Sequence, residues 1–230
     1  MTASCLVGGT GLVGSHILST LMNCSTITSL DAFTRSNPES PSTSKLRYIS
    51  DLDSTTWPSL YPLKTQVFFS ALGTTARKAG SFANQRKIDY DLNIALAKAA
   101  KQAGVDVFVL VSTSGASTTS MIPYSKMKGE LDEAVKALGF RHTVILKPGL
   151  LVGTRTDSRP GEFAARKVAS MLGMISGNRL KDSWAQDAEV VAKAAVKAGL
   201  DAIHGEYTGS VTVLDQHDII RLGRTDWLDI

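Results

Sequence analysis

Residues 5–18 read CLVGGTGLVGSHIL, with four glycines in seven positions directly after an apolar run. A strand that ends in glycines and reopens as a helix near Gly11 or Leu12 is how an α/β sheet brings backbone N–H groups up to a phosphate. The first amides of a helix lack intrahelical partners, and the aligned peptide dipoles concentrate positive charge there. The glycines fit two spacings, Gly9-x-Gly11-x-x-Gly14 or Gly8-x-x-Gly11-x-x-Gly14. The plain alternative is a tight turn that holds nothing, and the surrounding chain has to decide between the two readings.

Outward from this stretch, apolar β-leaning segments recur at residues 3–7, 27–34, 46–49, 67–71, 105–111 and 143–146. Helix-period segments lie between most of them. Residues 89–103 repeat Leu92, Leu96, Ala99 and Ala100 at helical spacing up to Gly104, and residues 124–138 end at Gly139. This alternation predicts a Rossmann-type, doubly wound parallel sheet covered by helices on both faces. Residues 35–45 and 153–161 read as loops, 187–198 as a helix, 207–213 as a short strand and 217–222 as a last helical turn. With neither repeat nor linker, residues 1–230 form one domain, and 150–230 are expected to leave the far edge of the sheet and supply its substrate side.

Composition narrows the function. At 43% hydrophobic and 20% charged residues, the chain is ordinary for a globular protein. No apolar run approaches the roughly 20 residues of a membrane span, so membrane contact is expected to be peripheral at most. A net charge of +4, spread along the chain, favours small anionic ligands over nucleic acid, for which there is no aromatic and basic stripe. Cys5 and Cys24 have neither metal-ligand spacing nor a disulfide framework, and the four histidines are scattered, so no metal is expected. No secretory signal or cleavable presequence is read upstream of the glycines.

A dinucleotide unit selects its ribose roughly 20 residues past the glycines, with an acid for NAD or an arginine for the 2′-phosphate of NADP. Asp31 falls in mid-strand, whereas Arg35 falls at the strand end, which points to NADP. PYSKMKGELDEA then sets Tyr124 four residues before Lys128, on one helical face. A nearby ammonium favours phenolate, so Tyr124 is expected to exchange a proton with a substrate oxygen while hydride moves to or from a nicotinamide. Lys126 points elsewhere. Ser112, Thr113 and Ser114 end the fifth strand, and one of them is expected to donate to the substrate oxygen.

GGTGLVG, YSKMK and the βαβ order together resemble the atypical short-chain dehydrogenase/reductases, whose glycine pattern is that of Gly8, Gly11 and Gly14. ALGTTARKAG, KIDYDLNIALAKAAKQAG, LVSTSGA, LKPGLLVG and DIIRLGR more narrowly resemble a fungal family first found in mitochondrial proteome surveys, related to the animal Tat-interacting oxidoreductase-like protein. The resemblance implies an NADP(H) site built from Gly8, Thr10, Gly11, Leu12, Val13, Gly14, Arg35, Leu72, Gly73, Thr74, Tyr124, Lys128, Lys147 and Pro148. Catalysis is assigned to Tyr124 and Lys128 with Thr113 or Ser112, on a small carbonyl or alcohol substrate. Relatives often carry a second arginine where this chain has Ser36, and commonly Arg in place of Lys147. DSRPGE, residues 157–162, matches a block on the substrate side. The resemblance also implies a peripheral place on the mitochondrial outer membrane; without it the expectation is cytoplasmic. The competing reading is an NADP-binding redox sensor or scaffold with little turnover.

Overall fold

The computed structural model describes residues 2–36, 42–152 and 185–227. Seven parallel strands form the main sheet: β1 (Thr2–Val7), β2 (Ile27–Thr34), β3 (Leu46–Ser50), β4 (Val67–Ser70), β5 (Val107–Val111), β6 (His142–Leu146) and, after a separate pair of strands, β9 (Val211–Leu214). Their order is β3-β2-β1-β4-β5-β6-β9. The chain winds outward from β1 to β3, returns to lay β4 against the other side of β1, and then winds the opposite way. The β1/β4 junction is therefore the topological switch point, where strand ends diverge and leave a crevice.

Strand side chains alternate between two cores because successive residues point to opposite faces. Phe69 and Val109 pack on one side with Ile17, Leu21 and Val191. Phe68 and Phe108 pack on the other with Leu96, Leu131 and Val135. The first core lies under α1 (Leu12–Asn23) and the long helix Ala188–His204, the second under the helices Asn93–Gln102 and Pro123–Ala137. Numbered along the chain, with the short Ala76–Ala79 and Phe82–Arg86 as α2 and α3, these are α4 (Asn93–Gln102), α5 (Pro123–Ala137) and α6 (Ala188–His204), followed by α7 (Gln216–Ile220). α6 packs directly on α1 and on the sheet. A Cβ on its Gly199 would sit 2.9 Å from the Phe69 ring, so the missing side chain lets the helix lie close.

The expected strands and helices are found, with instructive differences. The predicted helix 89–103 opens as a π-helical turn, Lys87–Leu92, before α4 begins. The helix predicted over 187–198 runs on to His204 because its small buried residues continue to Ala202, and Gly205 ends it at φ +79°. The strand expected from residue 207 starts at Val211, since Gly209 turns the chain at φ +81°.

The C-terminal third is not an excursion as a whole. α6 covers the sheet and β9 pairs with β6, so that part rejoins the main fold. Among the described residues only β7 (Leu150–Val152) and β8 (Ala185–Asp187) stand apart from the main sheet, pairing with each other in a separate two-stranded sheet. Residues 153–161 and the block 157–162, together with the rest of 153–184 on the expected substrate side, lie outside the described residues. Among the described residues no helix is long and apolar enough to cross a membrane.

Candidate functional site

The glycine turn closes on itself through backbone contacts. Gly8 has φ +86°, and a Cβ there would lie 2.5 Å from the carbonyl carbon and oxygen of Ala71 at the end of β4. A Cβ on Gly14 would lie 2.0 Å from the Gly8 oxygen, and one on Gly11 3.1 Å from the same atom. Gly9 is unlike them: its Cβ would meet only the side chains of Leu6 and Leu18, at an ordinary 3.4 Å and beyond. Of the two spacings the sequence allows, the geometry selects Gly8-x-x-Gly11-x-x-Gly14. α1 then opens at Gly11, which offers no side-chain cap, and Leu12 and Val13 face the crevice with the first-turn amides. Gly14 is buried beneath the turn and supports it without lining the crevice.

The crevice consists of two joined cavities that share Gly11, Ala71, Leu72, Gly73, Thr74 and Lys78. One, about 460 Å³, is bordered by Gly8, Thr10, Thr34 and Arg35, with Phe33 and Trp57 stacked 5.5 Å apart in its wall. Arg35 is exposed at the end of β2, as the sequence predicts. Asp31 is spent in mid-strand, where it accepts a hydrogen bond from Arg47 of β3 at 2.6 Å.

The other cavity, about 630 Å³, is lined by residues 111–115, Tyr124, Lys128 and residues 148–151. α5 carries Tyr124 and Lys128 one turn apart on the face toward the crevice, while Lys126 is exposed. Lys128 is 3% exposed and its Nζ donates to the Val111 carbonyl at 3.3 Å. Burial pulls its pKa down, and the carboxylates of Asp89 and Asp132 pull it back up. Tyr124 remains 40% exposed, and its phenol is pushed above the usual value by burial and then by Asp89. The expected lowering by Lys128 is therefore not what governs this phenol: burial and then Asp89 do.

The hydroxyls at the end of β5 divide. Ser112 Oγ donates to Asp132 Oδ1 at 2.6 Å, inside the protein. Thr113 and Ser114 line the cavity, and neither hydroxyl is hydrogen-bonded within the described residues. Lys147 also turns inward: its Nζ lies 3.2 Å from Asp132 Oδ2 and 3.3 Å from the Ala116 carbonyl. It lines neither cavity, whereas its neighbour Pro148 does. Ser112 and Lys147, both expected at the site, thus tie β5 and β6 to α5 through Asp132; Ser112 still borders the larger cavity with Thr113, Ser114 and Tyr124, whereas Lys147 does not.

Asp89 belongs to the site and escaped the sequence reading of individual residues. It lies on the π-helical turn, 1% exposed, and lines the larger cavity. The Thr74 amide donates to Oδ1 at 2.7 Å, and Gln85 Nε2 reaches Oδ2 at 3.4 Å. Burial raises its pKa, while the Thr74 amide, the Lys128 ammonium and Gln85 oppose that rise. π-bulges occur often at functional sites because the wide turn re-aims a side chain. Asn93 secures the same region: Ser70 Oγ donates to its Oδ1 at 2.5 Å, and its Nδ2 reaches the carbonyls of Asp89 at 3.0 Å and Leu72 at 3.4 Å.

Residues 31–176 match the HIM1 family model. Over 97% of this chain and the whole of the relative, the sequence is 50% identical to the mitochondrial protein fmp52-1 of Aspergillus terreus. It is 48% identical to the mitochondrial protein fmp52 of Emericella nidulans, over 95% of this chain and 97% of that one. Among solved structures, MoeE5 in complex with UDP-glucose and NAD matches 93% of this chain and 75% of its own, with a TM-score of 0.67 at 18% identity. A UDP-glucose 4-epimerase matches 95% of this chain and 80% of its own, with a TM-score of 0.68 at 12% identity. A short chain dehydrogenase family protein from Francisella tularensis matches 95% and 98%, with a TM-score of 0.65 at 13% identity. At these identities the likeness is one of fold.

Proposed function

The chain belongs to the HIM1 family, alongside the fungal mitochondrial fmp52 proteins, and from that premise we propose that it is an NADP-dependent oxidoreductase acting on a small carbonyl or alcohol. The observation that carries this reading is the joining of the glycine turn and the Tyr124–Lys128 face in one crevice at the switch point. The crevice fits a dinucleotide on its own terms. The missing side chains of Gly8 and Gly14 let the turn fold tightly against Ala71 and itself, the first-turn amides of α1 are open, and two connected cavities suit two nucleotide halves. Solved neighbours of this fold carry NAD, which supports a nicotinamide dinucleotide. Arg35 at the β2 end supports the phosphorylated form.

Gly8, Thr10, Gly11, Leu12 and Val13 would hold the pyrophosphate, and Arg35 the 2′-phosphate. Leu72, Gly73 and Thr74 would close over the adenosine side, and Pro148 would border the nicotinamide. When bound, the cofactor supplies or accepts a hydride. Tyr124 gives a proton to the substrate oxygen or takes one from it, and Thr113 or Ser114 donates a hydrogen bond to that oxygen. Lys128 bridges the strand end and the helix, fixing the face that carries Tyr124. Kinship with the animal Tat-interacting protein and a peripheral place on the mitochondrial outer membrane complete the proposal; protease accessibility and carbonate extraction of intact mitochondria test the location.

Titration with NADPH and NADH, read by nicotinamide fluorescence, tests the site. NADPH should bind in the micromolar range and be preferred, and Arg35→Ala should erase about ten- to hundredfold of that preference, the worth of a charge-assisted contact. Tyr124→Phe should bind NADPH as the parent does and lose roughly 10²–10⁴-fold in turnover. Absence of binding would remove the enzyme reading altogether. The Tyr124 phenol, raised by burial and then by Asp89 where the sequence reading expected it lowered, favours a second reading, a redox sensor with little turnover. Tight binding with no activity toward a panel of aldehydes, ketones and quinones would establish it.

A further inference from the structure

β5 and β6 end together, at Val111 and Leu146, but their pairing continues. Past the strand ends the Ser112 amide donates to the Leu146 carbonyl and the Ser114 amide to the Pro148 carbonyl, both at 2.8 Å. The chain then leaves the ladder in a tight turn, closed by the Ala116 amide donating to the Thr113 carbonyl at 3.0 Å. From there a side chain takes over from the backbone: Lys147 Nζ donates to the Ala116 carbonyl at 3.3 Å. Asp132 Oδ2 lies 3.2 Å from the same ammonium, and Ser112 fixes that carboxylate through Oδ1. The turn passes on to α5 at Ser117, whose amide donates to the Ser125 carbonyl at 3.1 Å. Residues 147–149 are held firmly enough to serve as an anchor. The Lys147 amide donates to the Leu214 carbonyl of β9 at 2.8 Å, and the Gly149 amide to the buried Gln186 side chain of β8 at 3.2 Å.

We propose that Lys147 is a positioning residue, which sets the Thr113 and Ser114 hydroxyls at a fixed distance from the Pro148 backbone that would border the nicotinamide. This rests on the oxidoreductase reading above. One residue reaches both parties: its backbone carries the segment beside the cofactor site, and its ammonium holds the turn that presents the two hydroxyls to the larger cavity. A hydrogen bond to the substrate oxygen is useful only while the carbonyl carbon lies within reach of the hydride, and a misplacement of about 1 Å can cost on the order of 10²-fold in rate. Lys147 lines neither cavity, so it acts through the turn without touching the substrate. The role asks for a head group that serves a carbonyl and a carboxylate at once. Lysine and arginine both supply one, whereas methionine, of similar length, has no donor.

Amide hydrogen exchange tests the clamp with neither cofactor nor substrate present. In Lys147→Met the Ser114 and Ala116 amides should exchange roughly tenfold faster, the effect of one lost hydrogen bond to a charged group. The Gly104 amide, in the turn that precedes β5, should keep its rate, and Lys147→Arg should exchange as the parent does. Unchanged exchange at Ser114 and Ala116, or an equal rise at Gly104, overturns the proposal. Lys147→Met leaves Asp132 buried without its ion-pair partner, so the measurement is repeated in Lys147→Met with Asp132→Asn, where the asparagine oxygen still accepts from Ser112; this variant decides should the single one fail to fold. Reduction of an aldehyde with NADPH supplies the functional arm. In Lys147→Met kcat should fall by roughly 10- to 10²-fold with KM and NADPH affinity close to those of the parent, and Lys147→Arg should recover it. A raised KM at unchanged kcat, or no recovery by arginine, overturns the assignment. NADPH binding by the parent is measured first: its failure removes the oxidoreductase reading and leaves the exchange rates to decide the clamp, whereas binding with unaltered exchange removes only the role of Lys147.

Discussion

The glycine turn at residues 8–14 and the charged floor beneath α5 serve the same crevice and are built by opposite means. At the turn, backbone meets backbone, and the geometry depends on side chains that are missing from Gly8 and Gly14. Beneath α5, buried carboxylates and ammonium groups face one another: Asp89 with Lys128, Asp132 with Lys147. The first arrangement is indifferent to pH and intolerant of one added methyl group. The second tolerates small changes in shape and depends on the charge of each member.

The sharpest way to break this contrast is at Asp132, which is 1% exposed and joins Ser112 to Lys147. Removing one partner of a buried ion pair typically costs about 3–5 kcal/mol. Because the Lys147 side chain is 25% exposed, Asp132→Ala should sit at the lower end, about 3 kcal/mol, in urea unfolding. Loss of under 1 kcal/mol would show that the charged floor is not held together by its charges.

Gly14→Ala comes next. Its Cβ would collide with the Gly8 oxygen, and overpacking of this kind costs about 1–3 kcal/mol. NADPH binding should fall with stability, because the turn itself must shift. Gly9→Ala is the control and should change stability by less than about 1 kcal/mol. Equal effects at both positions would mean that glycine composition, and not the close approach of backbones, makes the turn.

The smallest effect is expected at Asp89. Burial raises its pKa in the folded protein, so its contribution to stability is fully present below the unfolded carboxylate value of about 3.9 and is lost as pH rises through the folded value. Asp89→Asn removes that loss. Its melting temperature should equal that of the parent in acid and exceed it slightly at neutral pH, read by calorimetry across the acidic range. A deficit at neutral pH would mean that the charge stabilises the fold.

What could be read in the sequence was what is local. Glycine spacing around residues 8–14 and the four-residue step from Tyr124 to Lys128 express geometry within one turn of chain, and both appear where expected. The charged floor is assembled across the fold: Ser112 on β5, Asp132 on α5 and Lys147 after β6 meet only because β5, β6 and α5 are neighbours. This is why Ser112 and Lys147 read as site residues while their shared tie to Asp132 did not show: Ser112 reaches it from the cavity lining and Lys147 from outside that lining. A signal for the acids was nevertheless present. Asp89 falls three residues before Leu92 and seven before Leu96, and Asp132 follows Leu131 and precedes Val135, so both lie on the apolar stripes of their segments. An acid on a buried stripe needs partners, and here Thr74 and Lys128 beside Asp89, and Ser112 beside Asp132, line the crevice.

The packing of α1 on α6 joins residues 12–23 to residues 188–204, nearly the whole length of the chain apart. On the ribosome, the helix that opens the glycine turn, Leu12–Asn23, is made long before its covering helix, Ala188–His204. Ile17 and Leu21, fully buried in the finished protein, stay without their α6 neighbours until most of the polypeptide has been synthesised. Contacts so distant in sequence are slow to form, and the surface they leave bare invites association in the meantime. A nascent chain stalled before residue 188 should therefore keep α1 open to chaperones, and the glycine turn should settle only once α6 has covered that helix.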